Sequence, residues 1–290
     1  MNTDGLGRAS VTSIDSKKWM MGKAHFVWAV LKKFDHDHGL FLSSGITFNL
    51  LICLVPLILL LLALVATYLY SDREVLNHIR HYFENAVPSL DPRIMRNILR
   101  IIRDRRIVGI LGIGGLIWTS TWVFSSLRTS LNIIFQVEKG RGILRGKAID
   151  LMMIFLAGVF LLMSMMLSSG ITFLQSYRLS FFVDMKPALR FVLKYLIPFF
   201  LTFSMCFLTY KIIPDRKIHF KTALQAACFT SLFWEVAKQL FGWYVLHLGR
   251  FSAVYGSLGT LAIFFFWLYY SSAILLLGGE VAFLLDKRKT

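Results

Sequence analysis

Charged side chains are scarce in this chain. They make up 17% of its 290 residues, where a soluble domain carries about 25%. Acids are scarcer still, 16 against 32 Lys and Arg, which leaves a net charge of +16. Only three cysteines occur, Cys53, Cys206 and Cys228, each inside an apolar run. That excludes a disulfide scaffold and a thiolate metal cluster. The chain has no G-x-x-x-x-G-K-[ST] phosphate loop, no H-E-x-x-H and no C-x-x-C. No short apolar stretch precedes a small-residue cleavage site, so no cleavable signal peptide is expected. What is present is 56% hydrophobic and 15% aromatic, with a mean hydropathy of +0.63. This composition excludes a disordered chain and an ordinary soluble enzyme.

Six apolar segments, about 41–70, 107–135, 148–173, 191–213, 222–248 and 255–285, each exceed the roughly 20 residues that cross about 30 Å of hydrocarbon. Backbone groups cannot stay unpaired in lipid, so the segments are expected to be helices. The predicted fold is all-α: a polytopic protein with six transmembrane helices in residues 40–290. Residues 1–39 form a cytoplasmic tail followed by a helix. In that helix Val27, Val30, Leu31 and Phe34 make an apolar stripe with a lysine-rich rim. Such a stripe suits the membrane interface or the protein's own surface. Basic residues crowd the second and fourth loops (Lys139, Arg141, Arg145, Lys147; Lys211, Arg216, Lys217, Lys221) and the C-terminal tail. The charge bias predicts both termini in the cytoplasm. The loop 71–106 goes against that bias, with eight arginines and five acids. Its pattern predicts short amphipathic surface helices, with Arg93, Arg96, Arg100 and Arg103 on one basic face toward anionic lipid head groups. The excess positive charge is therefore assigned to the membrane surface and not to nucleic acid.

Ionisable groups inside apolar segments cost several kcal/mol unless paired or hydrated. Glu235 and Lys238, three residues apart, share a helix face and can pair. Arg128 and Asn132 share a face one turn apart, and Glu280 lies late in the last segment. These five residues are the candidate polar path, or else structural pairs that lock the bundle. Pro56 and Pro198 are hinge candidates, since each frees a backbone carbonyl. Glycines cluster in the second segment (Gly109, Gly112, Gly114, Gly115) and the last (Gly256, Gly259, Gly278, Gly279), as close helix packing requires. Asp35-His36-Asp37-His38 is the one His/Asp cluster, but no second cluster completes a four-ligand shell. His78 and His81 read as a solvated helix face. No metal, no cofactor and no catalytic residue is expected.

Three stretches resemble the YihY / virulence factor BrkB family of bacterial inner-membrane proteins. The first runs from Ser43-Ser44-Gly45-Ile46-Thr47-Phe48 through Cys53-Leu54-Val55-Pro56-Leu57. The second runs from Trp118 through Phe124-Ser125-Ser126-Leu127-Arg128 to Leu131-Asn132. The third joins Trp234-Glu235-Val236-Ala237-Lys238, Tyr244, Tyr255-Gly256-Ser257-Leu258-Gly259, Trp267-Leu268-Tyr269 and Gly278-Gly279-Glu280. Cys53 and Phe48 stand where the family usually has Ser and Tyr. The resemblance implies a six-helix inner-membrane protein whose members have been linked to movement of lipids or lipid-linked sugars. The expected function is transport or flipping of an amphiphilic anionic substrate, with membrane lipids as partners. The alternative is a non-transporting envelope scaffold or assembly factor. The family has also carried the label ribonuclease BN, a tRNA-processing name. Phosphodiester hydrolysis needs a metal cluster or a His/Lys/Arg constellation in an aqueous domain, and no soluble domain of that size is present.

Overall fold

The computed structural model describes residues 25–70, 104–138, 140, 142–176, 196–248 and 252–287. Among these are seven helices and no strand. Helix α1 covers residues 25–36. It is followed by α2 (Gly39–Tyr70), α3 (Arg105–Ile134), α4 (Ile143–Ser176), α5 (Ile197–Ile212), α6 (Phe220–Leu248) and α7 (Ser252–Lys287). Within the described residues each expected apolar segment falls on one helix, with ends moved by a few residues; 191–195 of the fourth segment lie outside them. The proposed loop helices, and with them Arg93, Arg96, Arg100 and Arg103, lie outside the described residues, as do His78 and His81.

Helices α2, α3, α4 and α7 contain stretches long and apolar enough to cross a bilayer. Helix α5 is apolar but has 16 residues as described. Helix α6 is 29 residues long, yet Gln225, Glu235, Lys238 and Gln239 dilute its apolar character. Among the described residues four crossings thus stand on length and composition, against the six expected.

From α2 onward each helix packs on its successor, and α7 closes a ring by packing on α2; α7 also reaches across to α3 and α5. Neighbours run antiparallel. Along α2 and α3, Asn49 donates to Ser126, Cys53 lies 3.5 Å from Ser120, and Gly115 and Gly112 face Pro56 and Leu60. A Cβ on Gly112 would stand 3.0 Å from the Leu60 backbone, so the missing side chain lets the two backbones approach. Pro56 sits inside α2 against Gly115. Pro198 stands in the first turn of α5 as described, where proline's missing N–H breaks no helical bond.

Burial is concentrated at one end of the ring. Ile46 of α2, Leu127, Leu131 and Ile134 of α3, Met153 of α4, Tyr210 of α5, Ala223, Ala226 and Ala227 of α6, and Leu276 and Ala282 of α7 form one core there. Toward the other end, α2, α3 and α6 present mostly exposed apolar side chains. Among the described residues, packing is therefore densest at one end. Helix α1 lies on the packed end. Of its predicted stripe, Val30 is buried and Phe34 packs against the core, whereas Val27 and Leu31 are exposed along with Trp28. His38 turns the chain from α1 into α2 with φ 54°, and Gln136 ends α3 with φ 52°. Both occupy the left-handed position that usually closes a helix with glycine.

Candidate functional site

The packed end gathers ionisable groups, each placed by a different element. At the C-terminal end of α1, Lys33 bonds Asp37 one turn on and donates to the Ile134 carbonyl at 3.0 Å. Its Nζ also lies 2.8 Å from Glu280 Oε2 on α7 and 4.2 Å from the centre of the Phe283 ring. Glu280 is completely buried. Burial alone would raise the Asp37 carboxyl, but hydrogen bonds from His36 and Lys33 and their charges outweigh it. They hold Asp37 below the ordinary carboxylate range. Arg216 of the α5–α6 loop also approaches the Phe283 ring, at 6.0 Å, and Asp286, at 3.7 Å. His219 closes this edge at 2.9 Å from Asp286.

Two further links tie α3 to its neighbours. Arg128 reaches Asp150 of α4 at 3.2 Å, and its guanidinium lies against Gly146, where a Cβ would stand 1.6 Å from Nη1. Asn132 exchanges two bonds of 2.9 Å with Asp215, one to the carboxylate and one from the backbone N–H. Arg128 and Asn132 therefore share a face as expected but serve different partners. Glu280, Arg128 and Asn132 come to the same end of the molecule. Glu235 and Lys238 do not.

Glu235 and Lys238 form their ion pair at 2.6 Å, with side chains 33% and 46% exposed, and Gln239 donates to Glu235 at 3.4 Å. The pair sits near mid-length of α6, beyond the packed end. Beside it, α6 and α7 diverge around an apolar groove of about 590 Å³, lined by Phe233, Ala237, Phe241, Ile263, Trp267 and Tyr270 among others. Trp267 stacks on Phe241 at 4.5 Å and leans on Trp234 at 5.4 Å. Glu235 is two residues from Ala237, about 200° round the helix, so charge and groove occupy different faces of α6.

Sequence reading missed Lys33, Asp37, Asp150, Asp215, His219 and Asp286 as site residues. Only the i, i+4 spacing of Lys33 and Asp37 signals a pair; the other partners meet through tertiary packing. The Asp35–His38 cluster is divided, with His36 on Asp37 and His38 in the turn. Among the described residues no three His, Cys, Asp or Glu side chains converge as metal ligands.

The profile of the virulence factor BrkB family matches residues 30–290. The chain belongs to that family. The BrkB-family match begins inside α1, so it includes Lys33 and Asp37 as well as Glu280. A UPF0761 membrane protein of Haemophilus influenzae is 25% identical over 271 residues, 92% of this chain and 97% of the relative. One from Pseudoalteromonas atlantica is 25% identical over 276 residues, 93% and 89% of the two chains. Another, from Glaesserella parasuis, is 28% identical over 201 residues, 69% and 70% of the two chains. No solved structure matches. This BrkB-family chain is a membrane protein, in keeping with its four long apolar helices.

Proposed function

We propose that the protein moves an amphiphilic, anionic substrate, a lipid or lipid-linked molecule, across a bacterial inner membrane through a path that passes α6. The half-exposed Glu235–Lys238 pair at mid-length of α6 carries this reading. At membrane depth an ion pair is tolerated on a bundle-interior or water-lined face and is costly against lipid. The aromatic groove on another face of the same helix offers space for an apolar tail. In this reading α5, with the residues before it, and α6 supply the fifth and sixth crossings, and no catalytic step is involved. A scaffold role finds its support at the packed end, where Arg128–Asp150 and Lys33–Glu280 are buried pairs that join helices and leave little room.

The experiment is movement of a fluorescent anionic lipid between leaflets of vesicles that contain the purified protein. Wild type should accelerate movement over empty vesicles. Exposed ion pairs contribute about 0–1 kcal/mol to stability, so Glu235→Gln/Lys238→Met should unfold close to the wild-type midpoint. The double variant should nevertheless slow movement by about tenfold or more, equivalent to about 1.4 kcal/mol on the barrier. Wild-type vesicles no faster than empty ones would remove the transport reading and leave the scaffold.

Orientation follows from the packed end, which carries Lys32, Arg145, Lys147, Lys211, Arg216, Lys217, Lys221 and Lys287. We assign that end, and both termini, to the cytoplasm. Single cysteines at Leu144 and Lys217, in a chain freed of its native cysteines, should resist an impermeant thiol reagent in intact cells and react after lysis. Labelling from outside reverses the assignment.

A further inference from the structure

We propose that Glu280, Asp37 and Lys33 form a proton-binding site between α1 and α7, in which one proton is held on Glu280 and shared toward Asp37. The inference is independent of what, if anything, the protein transports.

Charge counting comes first. Two carboxylates and one ammonium converge, so the fully ionised cluster carries one uncompensated negative charge. Glu280 is 0% exposed. Both of its oxygens are buried without a hydrogen-bond partner, and Lys33 reaches Oε2 only as an ion-pair contact at 2.8 Å. Lys33 is meanwhile spent on three other neighbours: the Asp37 carboxylate, the Ile134 carbonyl and the face of Phe283. Asp37 and Glu280 both contact the same Lys33 ammonium, so the two carboxyls stand within a few ångströms of each other. Ionising both at such range is disfavoured, and one proton between them relieves the repulsion. A proton on Glu280 supplies the missing donor. It also leaves Lys33 and Asp37 as a neutral pair.

Among the described residues, the other basic groups nearby have partners of their own. On α1, His36 bonds the other oxygen of Asp37 and is mostly exposed. From α3 the site meets the Ile134 carbonyl and the Phe135 ring, which stands edge-on to Phe283. On α7 the next acid, Asp286, is engaged by His219 and Arg216. Arg216 stands 6.0 Å from the centre of the Phe283 ring and donates to the Phe135 carbonyl. Asp37 is held ionised by Lys33 and His36, which places the proton on the α7 carboxyl. Loss of that proton would leave Glu280 charged and draw it to Lys33. An undocked Glu280 would give up its proton at lower pH than the docked one, so docking of α1 on the bundle should loosen as pH rises.

Infrared difference spectroscopy on the full-length protein in lipid tests the assignment through the C=O stretch of a protonated carboxylic acid. At pH 7 wild type should show a buried acid band that Glu280→Gln removes. Asp37→Asn leaves one carboxylate for one lysine, so Glu280 should ionise and the band should vanish although the glutamate is intact. Lys33→Arg should retain it. The proposal is overturned if wild type lacks the band at pH 7, if the band survives Glu280→Gln, or if it survives Asp37→Asn. A cluster neutralised by sodium or potassium instead would give no acid band and a carboxylate signal that shifts with the salt, which also overturns it. Asp37→Asn keeps the Lys33–Glu280 contact, so the site remains assayable where Glu280→Gln does not fold.

Discussion

Gly278→Ala is expected to cost the protein about 3 kcal/mol or more, enough to lose most of the folded material in detergent. A Cβ at that position would stand 1.8 Å from Thr230 Oγ1 and 2.2 Å from the Tyr210 hydroxyl. Neither group has room to retreat. Tyr210 is fully buried, shares a 2.8 Å bond with Thr230 and donates at 2.7 Å to the Leu275 carbonyl. Thr230 Oγ1 also lies 2.9 Å from the Ala226 carbonyl, so its one proton goes either there or to the Tyr210 oxygen. Overpacking a filled core costs about 1–3 kcal/mol, and a displaced phenol left without its acceptors adds about 1–3 kcal/mol. Combining the alanine with Tyr210→Phe and Thr230→Ala takes away both clashing oxygens and should restore part of the loss. Gly242→Ala, with nothing within 4 Å of its new methyl, should be neutral or gain up to about 1 kcal/mol. Thermal unfolding and the size-exclusion profile read all three. A Gly278→Ala protein as stable as wild type would mean that α5, α6 and α7 do not meet at this point.

The second large effect is expected at Arg128. Arg128→Met leaves Asp150, only 1% exposed, without the guanidinium that holds it at 3.2 Å. Breaking one side of a buried pair costs about 3–5 kcal/mol, because the remaining charge is stranded in low dielectric. Lys147 is also close enough to act on Asp150, which puts the expected loss at the lower end of that range. Arg128→Met/Asp150→Asn removes both charges and should recover much of it. Gly146→Ala reaches the same pair without touching a charge, by pushing the guanidinium off its glycine platform. It should destabilise in the direction of Arg128→Met, by less. Unfolding midpoints unchanged in Arg128→Met and Gly146→Ala alike would show that Asp150 is hydrated and the pair unimportant.

The six helices were legible because each is a long run of apolar residues and that requires no partner. Their ends shifted for local reasons: Gly39 follows a left-handed His38, and Gln136 stops α3 in the same conformation. Neither position carries the glycine that would have marked it. The Glu235–Lys238 pair was legible because three residues on a helix fix its geometry. Its exposure was not, since nothing in α6 alone says which faces the neighbours cover. Glu280 could be singled out as an acid in an apolar segment. Its partner could not, because Lys33 lies near the opposite end of the chain. Asp150 stands near the start of an apolar run with nothing in the sequence to mark a partner, yet it is among the most buried acids here. Gly278 and Gly279 announced a close approach without naming Tyr210, Thr230 or Leu131 as what approaches.

Closure of the ring by α7 has a consequence for biosynthesis. Helices α1 and α2 are made first and α7 last, so Lys33 and Asp37 wait for Glu280 while almost the whole chain is synthesised. Thr47 of α2 likewise waits for Ser272, 3.4 Å away in the finished bundle. Until α7 inserts, the α1 end has a lysine with no second carboxylate, and α5 and α6 have a Tyr210 hydroxyl with no Leu275 carbonyl. A ribosome that stops before α7 would therefore leave polar groups facing lipid in an open arc of helices, the kind of exposed defect that membrane quality control can bind.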